Sequence, residues 1–246
     1  MCWDEVKKKN PFPSKNSFDG RREKRGDMFM NTKKILTICL AAFLLFTQST
    51  VSAEELKQVT LPAPQTAGGK PLMQVLAQRQ SSREFSSEEL PPQMLSDLLW
   101  AANGVNRPDG RRTAPSASNS QGISIYVAKK DGLYLYDAVS NVLVPVLGED
   151  LRAFTGKQSF VKDAPLDLVF VADLEKFRGK SEEAAAFYSA TDTGYISQNV
   201  YLYCASAGLS TVVLGWVDKE PLAQAMKLRP RQRVILTQPV GYPKGR

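Results

Sequence analysis

A chain of 246 residues with 43% hydrophobic content is long enough to bury one core, and its net charge of +7 invites a test for acidic partners. It contains no histidine, which excludes imidazole-based triads and His-ligated zinc, and only three cysteines, Cys2, Cys39 and Cys204. Chemistry therefore falls to carboxylates, hydroxyls, lysines and arginines, or to a bound organic cofactor, the option that suits a histidine-free domain best.

Residues 1–53 read as an N-terminal extension followed by a cleavable export signal. Met1 to Asp27 is rich in Lys, Arg, Asn and Pro without apolar periodicity, so an over-extended gene start is expected, with Met28 or Met30 as the true start. From Met30 the parts of a secretory signal come in order: Lys33 and Lys34, an apolar run from Ile35 to Phe46, and a polar stretch ending Val51-Ser52-Ala53. Small residues at the third and last positions place cleavage after Ala53. The apolar run is too short for a spanning helix and nothing later replaces it, so no membrane anchor is expected. Cys39 follows the bulky Ile38, which disfavours lipidation. Charged residues follow Arg21-Arg22, which favours Sec export over the twin-arginine route. The leader holds ten of the 32 Lys and Arg and five of the 25 Asp and Glu, so the remaining 193 residues carry a net charge of +2. A nucleic-acid partner thereby loses its support. Cys204 becomes the lone cysteine, and an intramolecular disulfide is impossible.

Residues 54–70 contain Pro, Gly and Gln without periodicity and read as a flexible or draped segment. Gly68-Gly69-Lys70 is no phosphate loop, because Pro71 stands where Ser or Thr is needed. Leu72 to Gln80 places Leu72, Val75, Leu76 and Arg79 at helical spacing. Pro91 or Pro92 opens a second helix, with Met94, Leu95, Leu98, Leu99 and Ala102 on one face and Gly104 as its stop. Asn106 to Asn119 is a polar loop. Alternation at Ile123, Ile125 and Val127, the Asp131-Gly132 turn and Leu133 to Tyr136 predict a β-hairpin, extended by a third strand over Val142 to Val146. Leu166 to Ala172 is a buried-strand run, and Ser181 to Ala207 is the longest helical pattern, stopped by Gly208. A strand at Ser210 to Leu214, a short helix from Pro221 through Leu228 and a strand at Arg233 to Val240 complete the chain. The expected fold is α+β: one domain over 71–246, with a central, mostly antiparallel or mixed sheet flanked by helices.

Four pieces carry candidate chemistry. Arg79-Gln80-Ser81-Ser82-Arg83 sets two guanidinium groups and two hydroxyls in one turn, which suits an anion, though such a cluster also serves as solvated surface. Pro115-Ser116-Ala117-Ser118-Asn119-Ser120-Gln121 is a run of small residues before a strand. Leu214-Gly215-Trp216 follows a strand and lets a backbone N–H approach a ligand. Gly241 to Arg246 ends the chain with two more cations, Lys244 and Arg246.

Taken together and in order, these pieces resemble the FMN-dependent nitroreductase family. The pattern at Arg79, Ser81 and Arg83 is similar to the family's N-terminal FMN motif, and Pro115-Ser116 with Asn119-Ser120-Gln121 to its Pro-Ser…Asn-Ser-Gln loop. Asp192, Gly194, Gln198, Asn199, Gly208 and Leu209 resemble its central helix and following turn. Arg112 to Ser116 and the Ile123 to Tyr136 hairpin look more like the SagB-type, thiazoline-oxidase branch, whose members dehydrogenate azolines. The resemblance implies FMN as cofactor and a homodimer. Arg79, Ser81, Lys244 and Arg246 would hold its phosphate; Arg83 and Gln158 would lie toward the ribityl chain and pyrimidine edge. Gln80, Ala117 and Leu214 complete the cofactor-binding set, and the Gly215 N–H would point at flavin N5. Pro115, Ser116 and Asn119 would reach the cofactor from the second subunit. The implied reaction is ping-pong: NAD(P)H or another reductant delivers electrons, and a small aromatic, nitro or quinone-type acceptor takes them. Dehydrogenation of an amide or azoline, or flavin binding with little turnover, are the alternatives. Outside the cytoplasm a quinol or a redox protein is a plausible donor. Trp216, Phe187 and Tyr188 are candidates for stacking on substrate, with the buried core as their ordinary expectation.

Overall fold

The computed structural model describes residues 56–245; the expected extension and export signal, together with Arg246, lie outside the described residues. Seven strands and four helices follow one another as β1 (Val59–Thr60), α1 (Leu72–Gln78), α2 (Pro92–Asn103), β2 (Ile123–Lys129), β3 (Gly132–Asp137), β4 (Val142–Leu147), β5 (Leu166–Asp173), α3 (Glu182–Ala207), β6 (Ser210–Thr211), α4 (Lys219–Ala225) and β7 (Gln232–Gly241). They build one seven-stranded sheet in the order β1-β4-β3-β2-β5-β7-β6, with every pairing antiparallel.

The unbroken apolar character of β5 follows from its place. All eight of its residues are buried, because the sheet is covered on both faces. Leu166, Leu168, Phe170 and Ala172 pack with Leu98 and Leu99 of α2 and Val200 and Cys204 of α3. Val169 and Val171, pointing the other way at period two, pack with Leu222 and Met226 at α4. Helix α3 is set by its ends: Ser181 Oγ accepts from the Ala184 N–H, Glu182 and Glu183 occupy the first turn, and Gly208 takes the left-handed conformation at φ 73°.

Several boundaries differ from the sequence expectation. The strand β1 is only two residues long, too short for an alternating pattern, yet it pairs with β4, and Leu61 beside it is buried. The rest of the segment is held by backbone donors, Gln65 N–H to Asp97 Oδ1 at 2.7 Å and Lys70 N–H to Ser206 Oγ at 2.9 Å. Helix α1 stops at Gln78, and of its apolar residues only Val75 is buried, with Leu72 and Leu76 exposed. The strand expected over Ser210 to Leu214 is reduced to β6 plus an isolated bridge between Leu214 and Thr237. Helix α4 begins before Pro221, which sits in the first turn where its missing N–H has no intrahelical partner to lose. Among the described residues no helix is long and apolar enough to cross a membrane.

Candidate functional site

The chain leaving α1 runs beside β6: Ser82 N–H donates to Thr211 O at 3.0 Å, and Ser210 Oγ donates to Ser82 Oγ at 3.1 Å. Extended backbone sends alternate residues to opposite sides. Gln80 and Ser82 line a cleft of about 300 Å³ with Tyr201, Leu209, Ser210 and Pro243. Arg79 and Ser81 also meet Tyr201 of α3, the guanidinium carbon 5.3 Å from the ring centroid and Ser81 Oγ 2.8 Å from the phenol oxygen. That oxygen also accepts from the Val213 N–H at 2.9 Å. One hydroxyl therefore ties the Arg-rich turn to the segment that leads into Gly215.

The C-terminal segment joins the same region. Phe85 and Pro243 form an antiparallel bridge, and Ser86 N–H donates to Tyr242 O at 2.8 Å, so Lys244 follows directly from a contact with the residues after Arg83. Arg79, Arg83 and Lys244 form no ion pair among the described residues. Cations grouped without carboxylate partners retain the capacity to take an external anion.

Leu214 is fixed by paired hydrogen bonds with Thr237, Leu214 N–H to Thr237 O at 2.8 Å and Thr237 N–H to Leu214 O at 3.1 Å. Gly215 follows, exposed, with its N–H donating to nothing among the described residues. A Cβ placed there would come no nearer than 3.8 Å to Leu236 Cδ2, and its φ lies outside the left-handed region. Packing within the chain does not require glycine at this position. Lys157 N–H donates to Trp216 O at 3.1 Å, which sets the 156–158 turn against Gly215–Trp216. Gln158 Oε1 is buried there without a hydrogen-bond partner. The Gly215 amide is thus left as a free donor beside a turn that holds an unpaired buried acceptor.

The Pro115–Gln121 loop sits elsewhere. Both Asp192 oxygens accept from the Ala117 N–H, at 3.1 and 3.3 Å. Burial pushes the Asp192 pKa up, and the Ala117 N–H pulls it back down. Gln121 N–H donates to Ser116 Oγ at 3.1 Å and its side chain to Asn119 Oδ1 at 3.3 Å. Ser118, Asn119 and Gln121 all have positive φ, between 45° and 54°, a concentration of backbone strain outside glycine that the surrounding contacts must hold. Asp192 and Tyr201 are nine residues apart on α3, about 13 Å along the axis and half a turn around it. Within one chain the loop and the Arg79 cluster are anchored at different levels and on opposite sides of that helix.

Of the remaining residues singled out from sequence, Asn199 Nδ2 donates to Ala102 O at 3.3 Å, and Gly208 and Leu209 form the α3 stop, with Leu209 N–H donating to Cys204 O. Gly194 and Gln198 are exposed on α3. The expectation of a core role fails for Trp216 and Phe187, 65% and 64% exposed. Trp216 stands on an outward turn held through its backbone, and Phe187 lies on the outer face of α3 edge-on to the half-buried Tyr188. Tyr201 was missed from sequence: nothing in a helical pattern distinguishes a tyrosine whose hydroxyl bridges two remote segments from one that fills the core. Among the described residues no group of His, Cys, Asp and Glu could hold a metal ion.

The nitroreductase family model matches residues 76–242. A nitroreductase homologue of Methanocaldococcus jannaschii is 32% identical over 180 residues, spanning 69% of this chain and 90% of that protein. A crystal structure of a nitroreductase homologue from Ralstonia eutropha is 44% identical, with a TM-score of 0.75 over 79% of this chain and 92% of the other. The NADPH:FMN oxidoreductase of Vibrio harveyi complexed with NAD+ shares the fold at a TM-score of 0.54 and 20% identity, covering 70% of this chain and 69% of its own.

Proposed function

Because the chain belongs to the nitroreductase family, we propose that it is an exported, homodimeric FMN-dependent oxidoreductase that passes electrons from a reductant to a small aromatic, nitro or quinone-type acceptor. The observation that carries the reading is the Tyr201 hydroxyl, which touches Ser81 and the Val213 N–H at once and so gathers the anion-binding turn and the Gly215 amide on one side of the domain. The NADPH:FMN oxidoreductase of Vibrio harveyi, which shares this fold, supports the choice of flavin.

FMN, when bound, supplies the acceptance and return of hydride. The chain's own residues bind and orient it. Arg79, Lys244 and Arg246 would meet the phosphate as charge-assisted donors, with Ser81 adding its hydroxyl. Val213 N–H donates to the phenol oxygen, and the Ser81 and Tyr201 hydroxyls share one hydrogen bond in which either can donate, so one hydroxyl hydrogen of the pair stays available to a ligand. Arg83 and Gln158 would meet the ribityl and pyrimidine edge, and the Gly215 N–H the ring at N5, where a fixed donor favours the charge that develops during transfer. No side chain need act as acid or base, which accords with a chain free of histidine.

A second subunit would bring Pro115, Ser116 and Asn119 to the site. The half-turn separation of Asp192 and Tyr201 on α3 supports this, since within one chain the loop and the Arg79 cluster are anchored on opposite sides of that helix. So do Leu72, Met73, Leu76, Phe187 and Tyr195, large apolar residues left exposed on α1 and α3. Export places the enzyme where NAD(P)H is scarce, and a quinol or partner redox protein then serves as donor.

The test is anaerobic photoreduction of the FMN-loaded protein, followed by mixing with a nitroaromatic, a quinone or an azoline. Reoxidation by a nitroaromatic or quinone faster than that of free FMN is the expected result. Reaction confined to an azoline would favour the SagB-type dehydrogenase, and no acceleration by any of the three would mark a flavin carrier.

A further inference from the structure

Asp167 on β5 is fully buried, although nothing assigned so far uses it. Its Oδ2 lies 2.7 Å from Thr155 Oγ1, and its Oδ1 has no partner. Thr155, also fully buried, places the same hydroxyl 2.8 Å from Arg152 O. A threonine has one hydroxyl hydrogen, and a backbone carbonyl can only accept. If Thr155 donates to Arg152 O, the hydrogen between Thr155 and Asp167 must come from the aspartate. The Arg152 guanidinium makes no hydrogen bond to Asp167, because it donates to Asp150 at 2.9 and 2.7 Å and to Ala164 O at 2.9 Å. An ionised Asp167 would leave one oxygen bare in the interior, at a cost of several kcal/mol.

The contacts continue toward the site. Thr155 O accepts from Thr237 Oγ1, and Thr237 exchanges both backbone hydrogen bonds with Leu214. Thr155 also begins the turn that carries Gln158 and whose Lys157 N–H holds Trp216 O. The turn leaves no slack: a Cβ at Gly156 would meet Val161 Cγ1 at 2.8 Å, Gln158 Oε1 at 2.9 Å and Leu214 Cδ1 at 3.0 Å.

We propose that Asp167 is a positioning residue: as a neutral acid its Oδ2–H donates to Thr155 Oγ1 and fastens the 155–158 turn, so that Gln158 and the Gly215 amide are held in one arrangement. The role toward cofactor rests on the reading of those two groups as flavin contacts. Burial also drives the Asp167 pKa well above the carboxylate range.

Asp167→Asn keeps an N–H donor at the position, whereas Asp167→Leu keeps the branched outline, with somewhat more bulk, and removes the donor. Two readouts separate the clamp from the cofactor assignment: FMN affinity by fluorescence titration, and hydrogen exchange of the Lys157 amide in the absence of FMN. The expected result is near-wild-type behaviour of Asp167→Asn, with Asp167→Leu weakening FMN binding and accelerating Lys157 exchange, each about tenfold, the scale of one hydrogen bond. Should Asp167→Leu fail to fold, Thr155→Val reports the same link, with Thr155→Ser as its rescue. Equal damage by Asn and Leu, or no effect of Leu on Lys157 exchange, overturns the proposal. Wild-type protein that binds no FMN, but in which the exchange pattern holds, would discard the cofactor reading and leave the clamp standing.

Discussion

Replacing Tyr201 with Phe removes one oxygen and leaves the ring. The magnitude follows from what that oxygen does. It accepts from Val213 N–H at 2.9 Å and meets Ser81 Oγ at 2.8 Å, both partly buried. Leaving the amide unpaired costs about 1–3 kcal/mol, which lowers the melting temperature by about 2–4 °C per kcal/mol for a domain of this size. The Arg79 guanidinium keeps an aromatic face beneath it, so the cation–π contact survives in Tyr201→Phe. FMN affinity should nevertheless fall about tenfold, because Ser81 and the segment leading into Gly215 lose their common anchor. Thermal melting of the apoprotein and fluorescence titration with FMN measure the two effects separately. A variant that melts within a degree of wild type and binds FMN as tightly would refute the reasoning.

Arg79→Ala should weaken FMN binding by about 10- to 100-fold, the worth of a hydrogen bond to a charged group, while costing stability no more than about 1 kcal/mol from the lost contact with Tyr201; melting and titration of the variant check both. Gly215→Ala and Gly156→Ala should part company in the same assays. The first adds a methyl in ordinary contact with Leu236 and leaves stability unchanged or raised by up to about 1 kcal/mol, yet crowds the amide and weakens FMN. The second forces three contacts of 3.0 Å or less and should destabilise by about 1–3 kcal/mol. Asp167 holds its proton in the folded chain to a higher pH than in the unfolded chain. Above about pH 4 the unfolded chain gains from ionising and the folded chain does not, so this group's contribution falls with rising pH up to the folded pKa and is level beyond it. Denaturant melts across pH should therefore show wild type losing stability relative to Asp167→Asn over that window; parallel curves would contradict a neutral Asp167.

The elements that sequence made legible are those fixed by local chemistry. Pro92 with Gly104 bounds α2, Ser181 with Gly208 bounds α3, and alternation across Asp131-Gly132 marks the hairpin, because caps, turns and period are written in adjacent residues. The run at β5 reads as a buried strand because both of its faces are covered. What sequence left unread depends on partners far along the chain. The pairing of β1 with β4, the Tyr201 hydroxyl between Ser81 and Val213, and the Asp167–Thr155 link join segments whose local pattern carries no sign of the contact. The exposure of Leu72, Leu76 and Trp216 was unreadable for the converse reason: an apolar side chain looks the same whether it serves the core or another surface.

In the proposed site, Arg79, Ser81, Lys244 and the Gly215 amide would form one side of an FMN pocket completed by a second subunit. Titration of the purified protein with FMN, followed by sedimentation, tests it most directly. A yellow dimer carrying one FMN per chain, with binding weakened in Arg79→Ala, is the predicted result. Protein that remains colourless after incubation with excess FMN, or that binds FMN equally well as an Arg79→Ala monomer, would contradict it.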